Sequence, residues 1–290
     1  MATNRSNVLA LSSSRGEPVR LDRLSALLEG LLPRVQLVPD PVESAPLAFE
    51  PSQDTHLYLH VVLQGWAQLQ VQGRCVTPVE APALVVCQGA CGHALQDMAG
   101  AAAMRVMSFK AVFDGPVAPQ LMHEFSQPLV IALDTADPSL AQIVQLIFME
   151  VEQPRCGQPA LMHRAGDILL IGLLRHLVAT PFKAVGLFRG LSDPRIARTL
   201  VAMHAEPAGP WTLDALALEA GMSRTSFATQ FRAVMNVSAG KYLENLRLAI
   251  AHRVVAAGHG MKRAAREAGY ASPSTLSRAL SRSSQQAAAR

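Results

Sequence analysis

The residues of this chain that could do chemistry fall into two groups. In the first half, His56, His60 and His93 stand with Cys75, Cys87 and Cys91. Imidazole nitrogen and thiolate sulfur are ligands for zinc and softer ions. The run Cys87-Gln-Gly-Ala-Cys91-Gly-His93 has a spacing compatible with such a site, which makes Cys87, Cys91 and His93 the metal candidates. The same side chains can also fill an apolar interior or, as thiols, sense oxidants. The favoured reading is buried packing residues, with no resident metal or cofactor. Tyr58 and Trp66 are expected beside His60 and His93 around a pocket for a small molecule. In the last third the chemistry is electrostatic. From Asp193 onward 13 Lys and Arg face 6 Asp and Glu, whereas residues 1–192 hold 13 against 16, so a basic tail follows an acidic front. That asymmetry suits a polyanion-binding module joined to a neutral or acidic partner.

The elements that must position the basic residues are legible as an echo. Ala217-Leu218-Glu219-Ala220-Gly221 recurs as Ala265-Arg266-Glu267-Ala268-Gly269. Leu213, Leu216, Ala217 and Ala220 sit at i, i+3, i+4 and i+7, and Met261, Ala264, Ala265 and Ala268 repeat that stripe. Each stripe is one face of a short helix that stops at a glycine able to take the left-handed turn. A second helix follows, with Ser223 or Ser272 as its N-cap. Helix, glycine turn and capped helix make a helix-turn-helix, a unit whose second helix can enter a DNA major groove. Ser238 to Ala257 reads as a single connecting helix. At 1.5 Å per residue it spans about 28 Å, comparable to the roughly 34 Å between successive major-groove faces.

The front of the chain has a different period. Leu21 to Leu32 reads as a helix ended by Pro33. Leu57, Leu59, Val61 and Leu63 alternate, and after Gly65-Trp66 so do Ala67, Leu69 and Val71. Further short strands are expected at Ala83–Cys87, Met104–Phe109 and Leu129–Ala132, a spacing that suggests a small barrel or sandwich. Helical period returns after the Asp137-Pro138 cap and again over Leu161 to Val178, whose two apolar faces could cover the barrel and meet either a second copy or an internal partner. The expected organisation is a flexible lead-in at 1–20, an effector-binding and dimerisation domain at 21–180, a linker at 181–192 and a DNA-binding domain at 193–290. The fold class is α+β, a small β-barrel with flanking helices followed by an all-α domain. No apolar run approaches the roughly 20 residues of a membrane span, and four cysteines without a dense framework fit a reducing compartment, so a cytoplasmic protein without a membrane partner is expected.

The tail, with A-x-E-A-G-M-S-R-x-x-F-x-x-x-F-R followed by a long helix and A-x-E-A-G-Y, resembles the AraC/XylS family of bacterial transcription regulators. The front is similar to the cupin-like effector domains joined to that unit, through Leu59-His60-Val61-Val62-Leu63-Gln64-Gly65 and the turn from Gly89 to His93. The resemblance implies a homodimeric regulator, not an enzyme, whose partners are promoter DNA, a small-molecule effector and RNA polymerase. It places base contacts at Thr225, Ala228 and Thr229 in the first motif and at Ser274, Thr275, Ser277 and Arg278 in the second. Arg278 is the leading base reader, because a guanidinium can bond guanine O6 and N7 together. Arg224, Arg232, Lys262, Arg263 and Arg282 are the expected phosphate contacts.

Two alternatives stay open beside this one. A metal-dependent cupin enzyme would need an acidic ligand after paired histidines, and only His60 and His93 stand near the expected places. A protein-interaction co-regulator would follow if the second motif no longer read DNA. That motif is the weaker of the two. Where the first packs Leu216, Phe227 and Phe231, the second has Ala264, Leu276 and Leu280, and Pro273 shifts its second helix by one residue. Residues 258–290 are therefore expected to form a marginal subdomain, ordered on DNA or beside the first motif.

Overall fold

The computed structural model describes residues 22–39, 47–98 and 104–288. The expected lead-in at 1–20 lies outside them. Helix α1 (Arg23–Leu31) starts where the Asp22 carboxylate accepts from the amides of Leu24 and Ser25. Among the described residues nine strands follow: β1 (Pro33–Val38), β2 (Leu47–Phe49), β3 (His56–Gln64), β4 (Trp66–Val71), β5 (Arg74–Glu80), β6 (Ala83–Gln88), β7 (His93–Asp97), β8 (Arg105–Phe113) and β9 (Leu129–Ala132). Helix α2 (Ala118–Glu124) precedes β9.

Of the expected small barrel or sandwich, the structure is a sandwich, and the β-barrel of the expected fold class does not close. One antiparallel sheet runs β1-β8-β3-β6-β9 and the other β2-β7-β4-β5, with no ladder joining them among the described residues. The turn at Gly65 does not make a hairpin. It carries the chain from one sheet to the other, since β3 pairs with β6 and β8, and β4 with β5 and β7. A strand covered on both faces loses the apolar-polar alternation, and β3 is buried over nearly its whole length. Leu57, Leu59, Val61 and Leu63 face the helices, while Val62 joins Phe49, Ala67, Leu69, Val85, Cys87 and Leu95 between the sheets.

Helices α3 (Pro138–Glu152) and α4 (Gln158–Ala179) cover the first sheet. Both faces of α4 are used internally. A Cβ at Gly166 would lie 2.7 Å from Val35, and one at Gly172 would lie 2.6 Å from Ile143, so the sheet presses on one side and α3 on the other. Leu146, Met149 and Ile168 are the large apolar residues of this layer left exposed. The stretch expected as a linker contains α5 (Leu187–Ser192), whose Leu187, Phe188 and Leu191 are buried.

The tail is all helical: α6 (Pro194–Ala205), α7 (Leu213–Ala220), α8 (Arg224–Met235), α9 (Ala239–Ala256), α10 (Met261–Glu267) and α11 (Pro273–Ala288). Ser223 is the cap that the sequence offered, and three further caps join it. Asp193, Thr212, Ser223 and Ser238 accept amides at the starts of α6, α7, α8 and α9, and Gly221 takes φ 64° after α7. Among the described residues no helix is long and apolar enough to cross a membrane.

Candidate functional site

The structure brings two sets of residues together, one in each half. Between the sheets, strand register decides which side chains meet. His60 lies opposite Ser108 on β8 and Val85 on β6, and Cys87 lies opposite Tyr58, so Tyr58, His60, Cys87 and Ser108 share one face of the first sheet. His93 comes from the second sheet, opposite Phe49 on β2 and Val71 on β4. The Phe49 ring stacks on His93 with centroids 5.0 Å apart and lies 4.5 Å from the ring of Tyr58.

Hydrogen bonds fix both imidazoles. His93 Nδ1 is 2.8 Å from the Cys91 carbonyl, which can only accept, so that nitrogen carries the proton and Nε2 presents its lone pair. His60 Nε2, 2.9 Å away, then donates to His93, and His60 Nδ1 accepts from the Ser108 hydroxyl at 2.8 Å. Burial holds both rings neutral. It drives His60 well below the ordinary histidine range, helped by neighbouring His93, and it lowers His93 as well. Burial also pushes the Cys87 thiol up to about 12, so this cysteine is not a reactive thiolate. Cys91 is half-buried and serves through its carbonyl, and Cys75 lies outside the described side chains. Trp66 is not brought in: it is exposed at the start of β4, opposite Glu80. Phe49 and Ser108 were not legible as members of the cluster, because pairing between distant strands leaves no mark on one sequence.

The second set lies on the tail. In α8, Arg224, Thr225, Thr229 and Arg232 are exposed and Ala228 is half-buried, while Phe227 and Phe231 point inward with centroids 5.5 Å apart. In α10 and α11, Lys262, Arg263, Ser274, Ser277, Arg278 and Arg282 are exposed and Thr275 is half-buried. Lys262, Arg263 and Arg266 flank an open cleft of about 640 Å³ that continues to Ser272 and Pro273 at the start of α11. Arg224 is 3.3 Å from Asp214 and Arg263 is 2.6 Å from Glu267, exposed pairs whose net stabilisation is small. Arg278 Nε donates to the Ser274 carbonyl of its own helix at 3.4 Å.

A family of cupin domains matches residues 22–179, more than half of the sequence, and a helix-turn-helix domain family matches residues 216–288. The chain belongs to the family of cupin domains, and its tail carries a helix-turn-helix domain. A protein of Streptomyces lividans described as an AraC-like transcription regulator is 31% identical over 174 residues, covering 58% of this chain and 57% of that one. A Streptomyces antibioticus protein with the same description is 32% identical over 161 residues, covering 53% of each. The chain thus spans about half the length of the relatives it matches. Among solved structures, fatty-acid-bound ToxT of Vibrio cholerae aligns over 86% of this chain and 90% of its own at 12% identity, with a TM-score of 0.34.

In this cupin-fronted chain the two halves meet at a joint that the sequence did not announce. The amide of Leu187, at the start of α5, donates to the buried Glu124 of α2, and the neighbouring Gly186 amide donates to Val234 of α8 at 2.9 Å. Burial pushes the Glu124 carboxyl up, against the opposing bond from Leu187. Arg23 of α1 adds a bond to the Leu191 carbonyl at 2.9 Å. A carboxylate from the front therefore caps the helix that leads into the tail.

Proposed function

We propose that this protein is a sequence-specific DNA-binding transcription regulator, cytoplasmic and homodimeric, whose front domain binds a small-molecule effector and whose tail binds promoter DNA and meets RNA polymerase. The observation that carries the reading is the pair of exposed second helices, α8 and α11, each after a glycine turn and each bearing hydroxyl and guanidinium side chains. They would be paired reading heads of two helix-turn-helix motifs, with α9 as the spacer of about 27 Å between them. Thr225, Ala228 and Thr229 on the first, and Ser274, Thr275, Ser277 and Arg278 on the second, would meet base edges. Arg224, Arg232, Lys262, Arg263 and Arg282 would hold phosphates.

The effector site in this reading is the ring cluster of Phe49, Tyr58, His60 and His93. The boundaries at about 180 and 193 separate effector and DNA units, and the joint of Glu124, Gly186 and Val234 links them. An effector that favours one arrangement of that joint would shift the occupancy of paired half-sites by linkage. Leu146, Met149 and Ile168 are the apolar residues available to a second copy.

The test is binding to genomic fragments across a salt series. A true reader keeps its preference for one site while affinity falls with salt. Binding that shows no preferred fragment at any salt would sink the proposal.

A further inference from the structure

We propose that His60, Cys87 and His93 form a site for a thiophilic divalent ion, zinc in the first instance, that clips the two sheets of the front domain together. The inference is independent of the DNA-reading proposal, because it is read on metal binding alone, and it gives His60 and His93 of the ring cluster to the ion, leaving Phe49 and Tyr58 to an effector.

All three residues are buried, and their donor atoms lie within 4.8 Å of one another. Two come from neighbouring strands of one sheet, β3 and β6, and the third from β7 of the other. A shared ion would therefore bridge the layers where no ladder joins them. A tetrahedral zinc ion with bonds of about 2.0 Å to nitrogen and 2.3 Å to sulfur holds its donors roughly 3.3 to 3.6 Å apart. The two Nε2 atoms, now 2.9 Å apart, need to separate by only roughly 0.4 Å to reach that spacing.

The supporting groups also fit. Metal-bound histidines are held by a hydrogen bond at the nitrogen that faces away from the ion, and here both Nδ1 atoms have such a partner, Ser108 for His60 and the Cys91 carbonyl for His93. His93 already presents its Nε2 lone pair. His60 needs only to move its proton from Nε2 to Nδ1 and donate it to Ser108, whose hydroxyl can accept as well as donate. The Cys87 sulfur–hydrogen bond breaks as the sulfur–metal bond forms. One proton passes to solvent per ion, with no change of oxidation state. Three protein donors leave the fourth tetrahedral position to an exogenous donor. The Cys91 thiol has no part in this site, although spacing alone nominated it.

The test is a titration of untagged, chelator-stripped full-length protein with Co²⁺, whose thiolate bond gives a near-ultraviolet charge-transfer band, followed by Zn²⁺. The expected result is saturation at one ion per chain, loss of the band on addition of one equivalent of Zn²⁺, and a raised melting temperature with Zn²⁺. Cys87→Ala should abolish the band, whereas Cys75→Ser, Cys91→Ser and Cys156→Ser should each retain it. His60→Gln and His93→Gln should each weaken Co²⁺ binding by ~100-fold or more, beyond the effect of losing a supporting group. Absence of the band in the unmutated protein, or its persistence in Cys87→Ala, would overturn the proposal. Should Cys87→Ala fail to fold, Ser108→Ala decides: binding weaker by ~10-fold supports the site, and unchanged affinity overturns it.

Discussion

The helix pairs α7–α8 and α10–α11 repeat each other in sequence yet are held by different means. The first is built around bulk. Leu216, Phe227 and Phe231 are buried, Phe231 meets the Tyr242 ring edge-on at 6.0 Å, and the Tyr242 hydroxyl bonds His204 at 2.7 Å. The second has a core of Ala264, Ala265, Ala268, Leu276 and Ala279, with Leu280 only half-buried. Small side chains bury little area, so this pair gains order from a neighbour. Gly269, at φ 73°, lets its backbone come so near the α6–α7 turn that a Cβ there would lie 2.6 Å from Ala208 Cα. Arg247 of α9 holds the same turn by bonds to the carbonyls of Pro207 and Gly209, at 2.8 and 2.7 Å. A repeated pattern thus specifies the same helices twice without specifying the same source of stability. Phenylalanine supplies it in one copy, and docking onto α9 and the α6–α7 turn supplies it in the second.

The largest expected effect is on the first pair. Phe231→Ala should cost about 3 to 5 kcal/mol and unfold the tail cooperatively in denaturant, both pairs together, because both pack on α9, where Phe231 meets Tyr242. If α10 and α11 keep their amide protection in that variant, the dependence is refuted.

Acid should act on the same side. Burial lowers His204 to about 4 from an ordinary 6.5, so between those values the unfolded chain binds a proton that the folded chain does not. Stability contributed by the neutral ring is complete above pH 6.5 and is lost as pH falls, by about 1.4 kcal/mol per pH unit down to 4. Chemical denaturation at a series of pH values should show this slope flattened in His204→Phe. An unchanged slope would remove His204 from the account.

Gly269→Ala tests the second pair alone. It adds positive-φ strain and a backbone collision, and it should cost about 1 to 3 kcal/mol while leaving α8 protected from hydrogen exchange. Even without mutation, α10 and α11 should exchange faster than α7 and α8 in the free protein. Equal protection would mean that the smaller core is no weaker.

The smallest effects are on recognition. Arg278→Ala should lose about 1 to 3 kcal/mol of discrimination at one base position, and Lys262→Ala should weaken all sites alike, as a binding-site selection assay would reveal. Sequence preference unchanged in Arg278→Ala would move base reading to α8.

Local physics made the tail readable in advance. The caps at Ser223 and Ser272, the glycine turns and the 3.6-residue stripes act within a few residues of one another, so one sequence suffices to place α7, α9 and α10 within about a residue and the starts of α8 and α11. The front was only partly legible. β3, β4, β6, β8 and β9 carried alternation or apolar runs, but β1, β2, β5 and β7 did not stand out, and the sheets proved not to close. The surface positions of the proposed reading heads followed from helical period. The meeting of His60, Cys87 and His93 did not: spacing nominated Cys87, Cys91 and His93, and so included Cys91 and left out His60.

What the sequence determined by itself is therefore what neighbouring residues enforce: helix limits, turns, the basic tail and the faces each helix presents. The tertiary structure alone decided which strands pair, that Gly269 leans on Ala208, and that Glu124 caps α5. Those contacts join residues tens of positions apart, and their free energy comes from burial and register, which no local pattern records.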